Sequence, residues 1–247
     1  IGYAYLNMEE QKKSIEFFRL YIQSKPENKK KKADALMRVA DAYYVLKENN
    51  QAVKYYKKAL ELNQEGLDRA FFYLGKTYGY MGQPENKIKE MSEVINNYKN
   101  SKYLKTCVYE VAETHNSEGD LLKALNYYNK IINDYPSSSL VLSSRINVAD
   151  IYFKQGENEK AEKEYFNLLE NFSLQGDVCE KSVRGLVDIY KNKKKLEKID
   201  QLVSQYECAN ITSIEQEDMY YLPAMEKYED SSYQESLELF EKYLERY

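Results

Sequence analysis

The chain has 247 residues, with 36 Lys and Arg against 40 Asp and Glu and a formal charge of −4, so no general attraction to nucleic acid or to an anionic membrane is expected. No apolar run is long enough to span a bilayer, which excludes direct membrane insertion by this segment. There is no Trp, so the 26 Tyr and 8 Phe must supply the aromatic packing.

Along the chain, Gly2, Ala40, Gly75, Ala112, Ala149, Val187 and Ala224 recur at a period of about 37 residues, the mark of a stacked repeat array. Three residues after each stand Tyr5, Tyr43, Tyr78, His115, Tyr152, Tyr190 and Lys227. A second pair of columns follows: Ser14, Ala52, Lys87, Ala124, Ala161, Ile199 and Ser236, then Phe18, Tyr56, Met91, Tyr128, Tyr165, Val203 and Phe240. The small residue of each pair lets a neighbouring helix come close, and the aromatic fills the space beside it. Polar stretches such as Lys47-Glu48-Asn49-Asn50, with Gly82, Gly119 and Gly156 in other copies, read as the turns between two helices. Pro26 and Pro136 close their copies. The expected fold is all-α, with units near 1–28, 33–66, 68–101, 105–139, 142–175, 180–210 and 217–247. No Pro/Gly/Ser-rich linker interrupts them, so a single solenoid is expected.

These columns resemble the tetratricopeptide repeat, whose pattern places a small residue at position 8, Tyr at 11, Gly at 15, Ala at 20, an aromatic at 24 and Pro at 32. The fourth copy matches with Ala112, His115, Gly119, Ala124, Tyr128 and Pro136. The fifth matches with Ala149, Tyr152, Gly156, Ala161 and Tyr165. The sixth and seventh are degenerate, with Ile199 and Val203 for the second pair and Lys227 for Tyr. Arg145 stands where the family has Trp and reads as a snorkelling side chain near a seam between repeats. The resemblance implies a right-handed superhelical solenoid of about seven helix-turn-helix units. The chain enters its first repeat part-way and stops short of the closing position of its last, so it reads as a fragment of a longer array.

Chemistry-bearing residues are sparse. His115, the only histidine, occupies an aromatic packing column. Gly75-Lys76-Thr77 lacks the strand and glycines of a phosphate loop, and the carboxylates fall at helical spacing beside lysines. Lys29–Lys32 and Lys191–Lys195 carry no interleaved aromatics and read as solvated loops. Cys107, Cys179 and Cys208 have no metal-ligand spacing. Cys179 opens one helix of the sixth unit and Cys208 ends the other, so a disulfide between them would fit a hairpin. Three reduced thiols packed as small apolar groups are the favoured reading. The expectation is no enzyme activity, no cofactor and no metal.

By the family's pattern the first helix of each unit lines a concave groove. Carried onto this chain, the groove takes Met37, Asp41, Tyr44, Phe72, Lys76, Tyr80, Tyr109, Glu113, Ile146, Asp150, Phe153, Arg184 and Asp188. It is expected to be aromatic with a mainly acidic edge, suited to a peptide with basic and apolar residues and unlike the Lys/Asn clamp for chaperone tails. The joins Asn133-Asp134-Tyr135-Pro136-Ser137 and Asn97-Tyr98-Lys99-Asn100-Ser101 resemble those of bacterial envelope tetratricopeptide proteins of the outer-membrane assembly and Tol–Pal types. That resemblance implies a protein- or peptide-binding scaffold, periplasmic or outer-membrane-associated, with a cytoplasmic location as the alternative. A peptide-sensing regulator and an accessory region of a larger enzyme are the competing functional readings.

Overall fold

The computed structural model describes residues 1–247 apart from Asn63, Glu65 and Asn210. Among the described residues the chain is helical throughout, with no strand. The helices are α1 (Gly2–Asn7), α2 (Gln11–Gln23), α3 (Lys29–Val45), α4 (Asn49–Leu60), α5 (Asp68–Tyr80), α6 (Pro84–Asn97) and α7 (Leu104–Ser117). They continue with α8 (Leu121–Asp134), α9 (Leu140–Lys154), α10 (Asn158–Phe172), α11 (Gly176–Asn192), α12 (Leu196–Gln205), α13 (Ser213–Glu229) and α14 (Tyr233–Arg246). Taken in order they form helical hairpins, each on one copy of the repeat.

The amphipathic pattern explains the second helix of each hairpin. In α4 the buried residues are Ala52, Tyr56 and Ala59, spaced by four and three, and in α8 they are Ala124, Tyr128 and Ile131. Lys54, Lys57 and Lys58 lie on the opposite, exposed side of α4. Tyr56 and Tyr128 are completely buried, and truncating a ring of that kind to Ala costs about 3–5 kcal/mol.

The turns share one geometry in all seven copies. Glu9, Lys47, Gly82, Gly119, Gly156, Lys194 and Ser231 all have φ between 53° and 79°. The next residue's N–H then bonds back to the carbonyl in the aromatic column, as in Glu48 to Tyr43, Asp120 to His115, Lys195 to Tyr190 and Ser232 to Lys227, each at 2.9 Å. This is the Schellman closure of a helix end. Hairpins six and seven keep it although their packing columns have diverged.

The chain divides into two compact units, Ile1–Leu140 and Val141–Tyr247. In the first, α2 packs on α3, α4 on α5 and α6 on α7, so these second helices are covered by the hairpin that follows. In the second, α10 packs on α11, and a single core gathers Tyr165, Val183, Leu186, Tyr190, Ile199 and Leu202. Gly185 belongs to that core: a Cβ there would stand 2.3 Å from the Tyr165 ring, which is 1% exposed and cannot give way.

The cysteines depart from the favoured expectation of three reduced thiols. Cys179 and Cys208 form a disulfide with their Cα atoms 6.0 Å apart. The physical reason is the short α12: it ends at Gln205, and the 3-10 turn Glu207–Ala209 folds back against α11. Cys107 is free and buried, and burial pushes its thiol up to about 12, which makes it inert. Arg145 is half-buried, its Nε donating to Glu164 at 2.5 Å and its Nη2 to Asn167 at 2.7 Å. Both partners lie on α10, so Arg145 ties together the two helices of its own hairpin, where the expectation was a snorkelling side chain at a seam between repeats.

Candidate functional site: an aromatic lane on the first unit

The first helices α3 and α5 carry Tyr43, Tyr44, Phe71, Phe72, Tyr73, Tyr78 and Tyr80. Tyr44 and Tyr80 meet hydroxyl to hydroxyl at 3.3 Å, with ring centres 5.7 Å apart. Tyr44 lies edge-on to Tyr73 at 5.4 Å, Tyr73 edge-on to Phe72 at 5.1 Å, and Phe72 stacks on Tyr103 at 4.6 Å. Five rings thus form a continuous lane across two hairpins. Tyr80 is 65% exposed, and the other four are half-buried. Ring pairs in these geometries add about 0.5–1.5 kcal/mol each beyond the area they bury, so the lane is held in place before any ligand arrives. Burial and the Tyr80 contact raise the Tyr44 hydroxyl above the usual tyrosine range, keeping it neutral.

Tyr73 and Tyr103 were not among the sequence-derived groove residues, because they stand outside the family's groove positions. The signal available was adjacency: Tyr73 follows Phe72 directly. Met37 is half-buried and packs against the α3–α5 core. Tyr109 lies edge-on to Tyr128 at 5.8 Å, within its own hairpin.

The acids behave differently from a free acidic edge. Asp41 is buried and accepts from Tyr56 Oη at 2.8 Å, Arg69 Nη2 at 2.7 Å and Arg38 Nη1 at 3.5 Å. Glu113 accepts from the Tyr128 hydroxyl, and in the second unit Asp150 accepts from the Tyr165 hydroxyl. In each pair the acid sits on the first helix and the tyrosine on the second helix of the same hairpin, 15 residues on. The tyrosines Tyr56, Tyr128 and Tyr165 are pushed well above the usual range, by burial first and then by the carboxylate. Burial raises Asp150 as well, against the opposing hydrogen bond from Tyr165. In the third hairpin Lys76 and Met91 occupy these two places. Lys76 donates to Glu110 at 2.8 Å and Lys87 pairs with the same carboxylate at 2.7 Å. Burial alone would raise Glu110, but those two ammonium groups hold it below the usual carboxylate range.

In the second unit Ile146 is buried, 5% exposed, and packs against Leu168 and Val178. Phe153 is half-buried against the core. Arg184 is exposed and pairs with Glu180 at 3.2 Å and Glu215 at 3.6 Å. Asp188 is exposed, and the place of its tyrosine is taken by Val203. His115 stacks on Tyr127 with ring centres 5.7 Å apart, an aromatic packing contact. No helix among the described residues is long and apolar enough to cross a membrane.

Repeated helical hairpins that close with the same left-handed turn and pack second helix on following first helix define a helical-repeat interaction protein. The chain belongs to the tetratricopeptide repeat family. Family models match residues 1–28, 33–65, 69–101 and 107–138, together just over half of the chain. No curated protein matches the sequence. Among solved structures it is similar to a tetratricopeptide repeat protein from Parabacteroides merdae, with TM-score 0.62, 14% identity, 99% of this chain and 90% of that one covered. It is also similar to BtubC from P. vanneervenii (TM-score 0.58, 17% identity, 80% and 87% covered) and to PilF of Pseudomonas aeruginosa (TM-score 0.57, 16% identity, 88% and 92% covered). At these identities the likeness is one of fold. Proteins of this repeat class are in general non-catalytic scaffolds that bind proteins or peptides.

Proposed function

We propose that the chain is a non-catalytic scaffold that holds a peptide segment of a protein partner across the aromatic lane of α3 and α5. The observation that supports this is the run Tyr80–Tyr44–Tyr73–Phe72–Tyr103: rigid rings with polar tips give contact area at little conformational cost. The segment best suited is apolar with basic residues, since ring faces attract cations, as Arg69 over Tyr73 and Lys76 over Tyr80 already illustrate. Nucleic acid is not a partner in this reading. The work is done in an oxidising compartment of the bacterial envelope, a reading supported by the Cys179–Cys208 disulfide.

The test is affinity capture from a lysate of the source organism with the intact chain and with a Tyr44→Ala/Phe72→Ala/Tyr80→Ala variant. A partner retained by the intact chain and lost by the variant is the expected result; identical capture by both would remove the lane from the function. The compartment is tested by alkylating the protein in whole cells. Cys179 and Cys208 should resist alkylation until reduced, and free labelling of both would place the protein in a reducing environment.

A further inference from the structure

A second recessed place lies on the first unit, built from different residues than the lane. Arg19 and Ile22 of α2, Lys32 and Leu36 of α3, and Tyr55 and Lys58 of α4 surround a cleft of about 390 Å³. Leu36, 3% exposed, forms its floor, with Ile22 and Tyr55 half-buried on the walls. Three cations from three helices therefore face one apolar hollow. None of the three makes an ion pair among the described residues, and Glu61 is the only carboxylate at the rim. Lys58 is instead placed over the Tyr55 ring at 5.5 Å.

The repeat itself provides an internal control. One repeat later the places of Lys32, Leu36 and Lys58 are taken by Leu67, Phe71 and Glu93. There Phe71 packs on Tyr98 with ring centres 5.9 Å apart. Of the three cations only Arg19 has a basic counterpart there, Lys57, so the three-cation hollow is not repeated at the next junction. It also stands in a stretch, residues 1–62, where Lys and Arg outnumber Asp and Glu, although the whole chain is acidic at −4.

We infer that this cleft docks an acidic segment of a partner protein through one apolar side chain flanked by carboxylates. The apolar side chain fills the hollow over Leu36, and the carboxylates meet Arg19, Lys32 and Lys58, which are exposed or half-buried and make no ion pair among the described residues. The volume suits one or two side chains, which makes the occupant an extended segment and not a packed surface.

The experiment is fluorescence anisotropy with the full chain and a short labelled peptide in which Leu is flanked by Glu, beside the same peptide with Lys for Glu. The Glu peptide should bind, weaken as salt rises, and lose about tenfold in affinity to Lys32→Glu/Lys58→Glu, since rim charge reversal replaces attraction with repulsion. Leu36→Phe, which enlarges the side chain at the floor of the hollow, should weaken it too. Neither Lys32 nor Lys58 is buried, so the helical circular dichroism of the double variant should be unchanged. Tyr44→Ala/Phe72→Ala should bind the Glu peptide normally, which separates this site from the lane. Equal binding by Lys32→Glu/Lys58→Glu, or equal binding of the Lys peptide, would overturn the inference. So would binding of the chain to phosphatidylglycerol vesicles but not to the Glu peptide.

Discussion

Tyr56 Oη donates to Asp41 at 2.8 Å from the far helix of the same hairpin, and both groups are buried. The bond ties the two helices of one repeat to each other at mid-length. Tyr128 with Glu113 and Tyr165 with Asp150 repeat it.

Tyr128→Phe keeps the ring and removes only the donor to Glu113. A buried hydrogen bond to a charged acceptor contributes about 1.5–3 kcal/mol, so a loss of that order is expected in urea unfolding. A second substitution, Glu113→Gln, should recover part of it by making the acceptor neutral. Unchanged stability in Tyr128→Phe would mean the bond contributes nothing net.

Four of the seven left-handed turn positions are held by residues with a Cβ: Glu9, Lys47, Lys194 and Ser231. A left-handed residue other than Gly costs about 1–2 kcal/mol. Lys47→Gly and Lys194→Gly should therefore each raise the urea midpoint, for a gain in unfolding free energy of up to about 1 kcal/mol after the greater chain entropy of Gly is offset. Gly119→Ala should lower it, since Gly119 has φ 79° and open space where a Cβ would stand, so only backbone strain is added.

Reduction of Cys179–Cys208 opens a loop of 29 residues' separation, for which chain entropy gives about 3.6 kcal/mol. The expected outcome is a drop in the melting transition of Val141–Tyr247 under reductant, with amide exchange in Ile1–Leu140 unaltered. Cys179→Ser/Cys208→Ser should melt at the reduced temperature with or without reductant. A melting curve indifferent to both treatments would show that the staple is not stabilising.

Burial holds His115 below its ordinary value, against a raising influence from Asp120. A histidine whose folded value is depressed favours the fold while neutral. Its contribution is complete above the unfolded value of about 6.5 and is lost as pH falls below it. His115→Tyr, which restores the residue of the neighbouring repeats, should flatten stability between that pH and the carboxylate range. A variant with the same pH slope as the parent would remove His115 from the account.

The hairpins and their turns were legible because they follow from size and period: Ala40 over Ala52 with Tyr56 beside them is a packing rule that needs no structure to state. The acid–tyrosine bonds were equally present in the sequence, since Asp41, Glu113 and Asp150 each precede a tyrosine by one fixed interval, and Lys76 and Met91 lose both partners together. Family position alone puts these first-helix acids on the groove edge; the tyrosine that engages each one is visible only when the two helices of the hairpin are set side by side. The disulfide was placed geometrically but set behind three packed thiols, because the shortness of α12 and the 3-10 turn that delivers Cys208 leave no periodic mark. The basic cleft was out of reach for a different reason. It depends on Leu36 being too small to fill a hollow that α2, α3 and α4 enclose, and that fit is set by side-chain packing across two hairpins.

Hairpin six has lost the small and aromatic pair that closes its neighbours, having Ile199 and Val203 instead, and it is also the one that carries the bridge between α11 and the turn after α12. Elsewhere in the chain the closure of a hairpin is written into side-chain volume and survives any surroundings that let the protein fold. Here Ile199 and Leu202 still pack on α11, but a bond that the solvent's electron balance can make or break is added to that packing. That one repeat therefore ties the packing of its unit to the redox state of its surroundings.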